Sequence, residues 1–302
     1  MNNSKKAYIY ALLSVCLWST VATAFKISLK ELNYSQLLLV SSFVSTLALL
    51  VIIIFSGKIK LLNALKLKDF TTFAFIGFLN PFLYYIVLFR AYELLPAQEA
   101  LTLNYTWIIT IVIFSAFFLK QKINPITLIG LLISLIGVAV IGTKGNLFEL
   151  KFNNLFGTIL AVSSSLVWSS FWILNLKLKQ DETLKLFVSF SFGFVFTLIF
   201  VLFNENVLSL NLKLHSVIGS VYIGLFEMGV TFLFWLKALN LSENTAKVGS
   251  LVYLSPFISL FIINIVLGEN ILISTLFGLI LIIFGIVFPK IKFRLFRKYN
   301  KD

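Results

Sequence analysis

The chain has 302 residues, of which 59% are hydrophobic and only 12% charged, with a mean hydropathy of +0.99 and a formal net charge of +13. A soluble domain carries about 25% charged residues, so a water-soluble globule is excluded. The basic excess sits in short loops between apolar blocks and forms no basic face, which argues against a nucleic-acid partner. Cys16, the one cysteine, excludes an intramolecular disulfide and a thiolate metal cluster, and in an apolar helix it is expected to be a small buried side chain. His215 falls at a predicted helix start, where it reads as an interfacial residue. With one histidine, no metal site and no cofactor are expected.

The apolar blocks run to about 20 residues, the length of a helix that crosses a bilayer. Backbone polar groups must be paired in lipid, so such blocks are helices, and the alternating pattern of a membrane barrel is absent. The first span is Tyr8–Ser28, with Trp18 inside it. Lys5, Lys6 and the small-residue run Ala22-Thr23-Ala24 give it the outline of a signal peptide, but a similar segment recurs mid-chain, where a signal cannot be. Gln36–Ser56 follows, then Phe70–Ala91, which carries Asn80, Pro81, Tyr84 and Arg90. The fourth span, Ala97–Leu119, holds Asn104, Tyr105 and Trp107, and the fifth is Pro125–Thr143. Leu155–Leu176 contains Trp168, and Leu184–Phe203 is the seventh. Val217–Leu239 carries Glu227 near its middle and Lys237 near its end. Ala246–Leu267 contains Tyr253 and Pro256, and Ile271–Pro289 is the tenth.

With ten spans, alternate loops fall on one side. Of the 25 Lys and Arg, all but Lys26, Lys30, Arg90, Lys144, Lys151 and Lys213 lie on the side of the two termini. The positive-inside rule then puts both termini in the cytoplasm, and a bacterial inner membrane is the expected location.

The halves repeat each other. LLSVCLWS around Trp18 matches AVSSSLVWSS around Trp168. FIGFLNPFLYYIVLFRAY matches YIGLFEMGVTFLFWLKAL, pairing Gly77 with Gly224, Asn80 with Glu227 and Arg90 with Lys237. LIGLLISLIGV matches LFGLILIIFGI, pairing Gly130 with Gly278 and Gly137 with Gly285. Each copy holds five spans, so the second enters the membrane from the opposite side. The expected fold is an all-α membrane protein of ten helices in two inverted five-helix repeats, 1–147 and 148–302. Inverted repeats are the architecture of secondary transporters, whose substrate site lies near the midplane between the copies.

These motifs resemble the EamA module of the drug/metabolite transporter superfamily. The marks are an early Trp in each half, ALTLNYTW opening the fourth span and WLKAL closing the eighth. LVYLSPFISL, LGEN and a Gly-spaced last span complete them. The resemblance implies ten helices around a central cavity and the export or exchange of small metabolites, amino acids among them. The first half departs from the pattern, with Ile108 opposite Pro256 and Lys120-Gln121 opposite Gly268-Glu269.

The candidate site residues are polar or amphipathic groups at membrane depth. A charge at the position of Glu227 costs at least about 2.5 kcal/mol, so its carboxyl is expected to face a cavity or a partner. It is a candidate contact for a substrate amine and a candidate proton carrier. Asn80 is its repeat mate. Pro81 frees a backbone carbonyl, which kinks the span or exposes an acceptor. Helical spacing puts Gly77 and Tyr84 on the stripe of Asn80, and Gly224 and Thr231 on that of Glu227. The glycines there either make room for a ligand or allow close packing.

Asn104, Trp107, Trp168 and Tyr253 complete the substrate-binding candidates, lining a cavity for apolar or aromatic solutes with Asn or Glu fixing orientation. Arg90 and Lys237, present in both copies, are gating or ion-pair candidates. Lys26 reads as a side chain that reaches to the headgroups. Glycines seven apart in the fifth and tenth spans predict tight helix contact, within the chain or in a homodimer. No GxxxxGK[ST] loop is present, so ATP is not the direct driver. The leading reading is a secondary carrier of small organic solutes. The alternatives are a channel or scaffold and, less favoured, a membrane enzyme, for which paired carboxylates or a His cluster are missing.

Overall fold

The computed structural model describes residues 3–120, 125–146, 154–204, 213–243 and 248–299. Gln121, Lys122, Ala246, Lys247, Lys151 and Lys301, together with the expected boundary between residues 147 and 148, lie outside the described residues. Among those described, nine helices are long and apolar enough to cross a bilayer. They are α1 (Asn3–Ser28), α2 (Tyr34–Phe55), α3 (Leu67–Leu94), α4 (Ala97–Phe118), α5 (Pro125–Gly142), α6 (Leu155–Asn175), α7 (Glu182–Asn204), α8 (Leu214–Leu241) and α9 (Ser250–Leu267). A tenth, α10, is apolar over Ile273–Pro289 and continues as helix to Tyr299. All ten expected spans are present. The third and eighth are longer than the sequence suggests, at 28 residues each, because both helices extend beyond the expected span at each end.

The polarity is arranged for lipid. Leu12, Phe43, Val51, Phe117, Leu132 and Phe284 are among many large apolar side chains exposed on the outside, while Ser14, Ser42, Ser164 and Ser259 are buried. Hydrocarbon offers no hydrophobic drive between helices, so small residues and interhelical hydrogen bonds hold the bundle together. Cys16 departs from expectation: it is exposed on α1. The stripe of α1 that packs inward carries Ser14, Val15 and Ser19 instead.

The packing follows the repeat. α1 lies against α8 and α9, and its mate α6 lies against α3 and α4; α2 pairs with α7, and α5 with α10. Each half is thus buttressed by the other, and the contacts exchange when the halves are exchanged. Even single bonds recur. The Ser19 hydroxyl donates to the Ser255 carbonyl at 3.3 Å, and its mate Ser169 donates to the Trp107 carbonyl at 3.1 Å at the matching place. Asn33 caps α2 by accepting from the N–H groups of Ser35 and Gln36, and Asp181 accepts from Thr183 and Leu184 ahead of α7.

Ion pairs tie loops at both ends, Lys213 to Glu31 and Lys58 to Asp181, each at 2.6 Å. Partial burial pushes the Asp181 carboxyl up, but the hydrogen bonds from Lys58 and from the Leu184 and Thr183 amides more than offset it, leaving Asp181 below its usual range.

α5 and α10 pack backbone against backbone. A Cβ on Gly130 would strike the Gly285 carbonyl, and one on Gly137 would strike that of Gly278. Ser134 locks the crossing by donating to the Ile282 carbonyl at 3.0 Å. The glycine stripes are therefore spent inside one chain.

Candidate functional site

The site is built where α3 and α8 both lose their helical register. In α3 a π-turn, Phe78–Leu83, joins two α-helical segments. Asn80 in it is extended (φ −148°, ψ 121°), and the Asn80–Pro81 peptide is cis. Pro81 has no N–H to return to the preceding turn, so the ladder opens there. In α8 a π-turn, Ile223–Glu227, is followed by Gly229 at φ −111°, ψ −93° before helix resumes at Val230. The two breaks contain the repeat mates Asn80 and Glu227. π-turns inside α-helices are frequent at functional sites.

Gly77 and Gly224 make no room for a ligand. A Cβ on Gly77 would strike the Ser189 carbonyl of α7, and one on Gly224 would lie 2.6 Å from the Ser41 carbonyl of α2. They let the broken helices press onto their neighbours.

Glu227 is buried, with 6% of its surface exposed. The Tyr85 hydroxyl donates to its Oε1 at 3.0 Å, while its Oε2 has no hydrogen-bond partner among the described residues. The hydroxyls of Tyr84, Tyr85 and Tyr105 all lie within electrostatic reach of this carboxyl. Tyr84 meets Tyr85 edge-on at 4.7 Å between ring centroids and lies tilted against Trp168 at 4.6 Å. Its hydroxyl also points at Asn104 Oδ1, at 3.4 Å, and Asn104 Nδ2 donates to the Ser164 hydroxyl at 2.8 Å. Trp168 continues the aromatic surface to Phe232, at 5.6 Å, and Trp172 stacks nearly flat on Phe232, at 6.2 Å.

The structure thus links Tyr84, Asn104, Trp168 and Glu227 into one connected group. Asn80 is fully buried with neither amide atom hydrogen-bonded, so no bond joins it to the others. Trp107 and Tyr253 are half-buried where the main core meets a second cluster, formed by the start of α1 and the end of α8. The Trp107 ring lies 6.5 Å from that of Tyr105. The Thr231 hydroxyl turns back onto the Phe226 carbonyl of its own helix.

The gating candidates stand at opposite ends of the bundle. Arg90 pairs with Glu93 at 2.5 Å and lies 5.3 Å from the centroid of the Tyr34 ring. Lys237 is exposed, 5.6 Å from the centroid of Tyr10, and makes no ion pair among the described residues.

Sequence reasoning did not single out Tyr85, Trp172 or Phe232. It also passed over the end of the bundle near Arg90, where a cavity of about 490 Å³ opens between the α1–α2 turn, Glu93 and the α9–α10 loop. Glu269 of that loop caps α4 of the other half, accepting from the Ala97 and Gln98 amides at 2.9 and 3.2 Å. LGEN thus has a definite structural role.

The EamA-like transporter family matches this chain twice, over residues 5–143 and 155–289. The chain belongs to the EamA-like transporter family. Among its relatives is an uncharacterized transporter of Clostridium kluyveri, 26% identical over 288 residues that span 93% of this chain and 92% of the other. A second is the aromatic amino acid exporter YddG of Ancylobacter novellus, 24% identical over 179 residues, 58% of this chain and 61% of that one. A solved crystal structure superposes with a TM-score of 0.69 over 97% of this EamA protein and 99% of the other chain. At 19% identity it speaks for the fold alone.

Proposed function

We propose that this EamA transporter is a secondary carrier that exports or exchanges small amino-bearing solutes with an apolar or aromatic body, aromatic amino acids foremost. The observation that carries this reading is the Glu227 carboxyl, with one oxygen held by Tyr85 and the other unpartnered, set in a wall of Tyr84, Trp168, Trp172 and Phe232. An acceptor left open in a dry aromatic site suits a substrate ammonium, or a proton carried in its place. Leaving such a group unmet costs about 1–3 kcal/mol, and a ligand that meets it recovers that cost. The aromatic amino acid exporter among the relatives supports the same substrate class.

On this reading the repeats 1–147 and 148–302 rock against each other about the two broken helices, opening the site to each side in turn. Asn80, Trp107 and Tyr253 join the lining as the helices move, and Arg90 and Lys237 act at the two gates. Both termini face the cytoplasm of a bacterial cell. No cofactor and no catalytic step are involved. A homodimer would have to use a face other than the α5–α10 glycine stripe.

Counterflow in proteoliposomes tests the proposal. Vesicles loaded with phenylalanine or tryptophan should take up labelled substrate in a saturable exchange. Flux that rises linearly without saturation would instead make the protein a channel, the second reading. No exchange of any aromatic amino acid would refute the substrate class.

A further inference from the structure

At the end of the bundle that carries the α1–α2 turn, the cavity wall holds five charged side chains: Lys26, Lys30, Glu31, Glu93 and Glu269. The acids are already engaged. Glu31 pairs with Lys213 at 2.6 Å, and Glu93 takes the Tyr34 amide at 2.6 Å and Arg90 at 2.5 Å. Glu269 caps α4. The cations make no close ion pair with them, although Lys26 lies within electrostatic reach of Glu93 and Glu269. Lys26 donates once, to the Tyr92 carbonyl at 2.6 Å, and neither Lys26 nor Lys30 makes an ion pair among the described residues. An ammonium has three donors and no acceptor, so two N–H groups of Lys26 remain unspent. The unmet valence of this cavity is therefore cationic, although its wall holds more acids than bases.

Next to Lys26 stands a buried aromatic cluster. Phe25 meets Phe89 at 4.8 Å and Tyr92 at 5.1 Å. Tyr85, the partner of Glu227, lies seven residues before Tyr92 on the same regular helical segment, Tyr84–Leu94. That is about 10 Å along the axis. The ammonium and carboxylate of one α-amino acid are separated by only two bonds to the same carbon, within about 4 Å. On that spacing, the ammonium and carboxylate of one α-amino acid do not engage Glu227 and Lys26 together.

We propose that Lys26, beside the Phe25–Phe89–Tyr92 cluster, forms a carboxylate-binding subsite in this mouth cavity, separate from the central site and in series with it. It would take the carboxylate of an aromatic or apolar organic acid, while Glu227 handles an amine. The substrate class rests on the function proposed above; the carboxylate specificity rests on the cavity.

The test uses the purified full chain and three probes: phenylalanine, 3-phenylpropionate, which has the carboxylate alone, and phenylalaninamide, which has the ammonium alone. Lys26→Gln should weaken binding of phenylalanine and 3-phenylpropionate on the order of ten-fold or more and leave phenylalaninamide unchanged. Lys26→Arg, which keeps the charge, should restore most of the loss and guards against a folding defect in the first variant. Equal weakening of all three probes, or of none, would overturn the subsite. So would a variant whose sole defect is in binding phosphatidylglycerol, since Lys26 would then hold a lipid phosphate. Wild-type protein that binds 3-phenylpropionate through Lys26 but neither binds nor exchanges phenylalanine would uphold the subsite and refute the amino acid reading.

Discussion

The middles of α3 and α8 are the same device made twice with different parts. Both break through a π-turn at matching positions, and both are pressed onto the neighbouring helix by a glycine, Gly77 on α7 and Gly224 on α2. In α3 the break is written into the covalent structure by Pro81, which has no amide hydrogen to close the ladder. In α8 nothing of the kind is present, and the break is held by Gly229 and by packing. The polar mates have also parted: the Asn80 amide is neutral and makes no hydrogen bond among the described residues, whereas Glu227 is ionisable and held by Tyr85. The backbone feature has stayed common to both copies, while the chemistry has gathered in one of them. On the rocking mechanism proposed above, α3 would be the fixed member and α8 the member able to straighten.

The largest effect should come from crowding the shared glycines. A Cβ on Gly77 meets backbone, the Ser189 carbonyl and the Gly193 amide, whereas on Gly224 two of its three nearest atoms belong to the Val44 side chain. Gly77→Val should destabilise the protein by about 1–3 kcal/mol or more, and Gly224→Val by somewhat less, because the backbone carbonyl it meets, that of Ser41 at 2.6 Å, stands further off than the Ser189 carbonyl does from a Cβ on Gly77. Thermal unfolding in detergent reads the order. Equal losses would mean that the two breaks are equally rigid.

Next in size is the chemical difference between the mates. Glu227→Gln should cut exchange of aromatic amino acids by ten-fold or more, the weight of about 1.5–3 kcal/mol for a hydrogen bond to a charged group. Asn80→Leu, which removes a buried amide that makes no hydrogen bond among the described residues, should cut it by less. Transport and its pH dependence unchanged in Glu227→Gln would make the carboxyl structural. A variant that keeps exchange but loses pH-driven uptake would make it the proton carrier. Tyr85→Phe removes one neutral donor and should cost about 0.5–1.5 kcal/mol, up to roughly ten-fold in affinity.

What could be read from the sequence follows from what acts locally. The spans were legible because lipid imposes length and hydropathy on each segment separately, and Glu227 because a lone acid in an apolar run is conspicuous in one dimension. The partner of Glu227 was not. A regular helix puts Tyr84 on the stripe of Asn80, but an extended Asn80 and a π-turn alter the register, and it is the next residue, Tyr85, that reaches the carboxyl. The mouth cavity was hidden for another reason. Lys26, Glu93 and Glu269 come from three distant segments, each with the look of an ordinary interfacial charge, and only folding joins them. The missing proline at Ile108 misled less than expected: α4 still breaks at Tyr105 and Thr106, just as a 3-10 turn over Ser250–Leu254 precedes the α-helical part of α9.

The smallest effect concerns another pair of mates, the ends of α4 and α9. Helix stops in both halves at a left-handed residue whose N–H returns to a carbonyl of the last turn. Gly268 has φ 68° and bonds to the Asn264 carbonyl; Lys120 has φ 54° and bonds to that of Ser115. Glycine adopts this conformation freely, while a residue with a Cβ is penalised by about 1–2 kcal/mol. Part of that penalty is offset because glycine has more freedom to lose on folding, about 0.5–1 kcal/mol. Lys120→Gly should therefore stabilise the protein by a net of roughly 0.5–1 kcal/mol, and Gly268→Lys should destabilise it by a similar amount, both read by thermal unfolding in detergent. Open space surrounds Gly268, where a Cβ would meet nothing within 4 Å, so the comparison isolates backbone conformation from packing. If Gly268→Lys costs several times more than Lys120→Gly gains, the excess belongs to the neighbouring Glu269 cap on α4, which the altered turn would have pulled away.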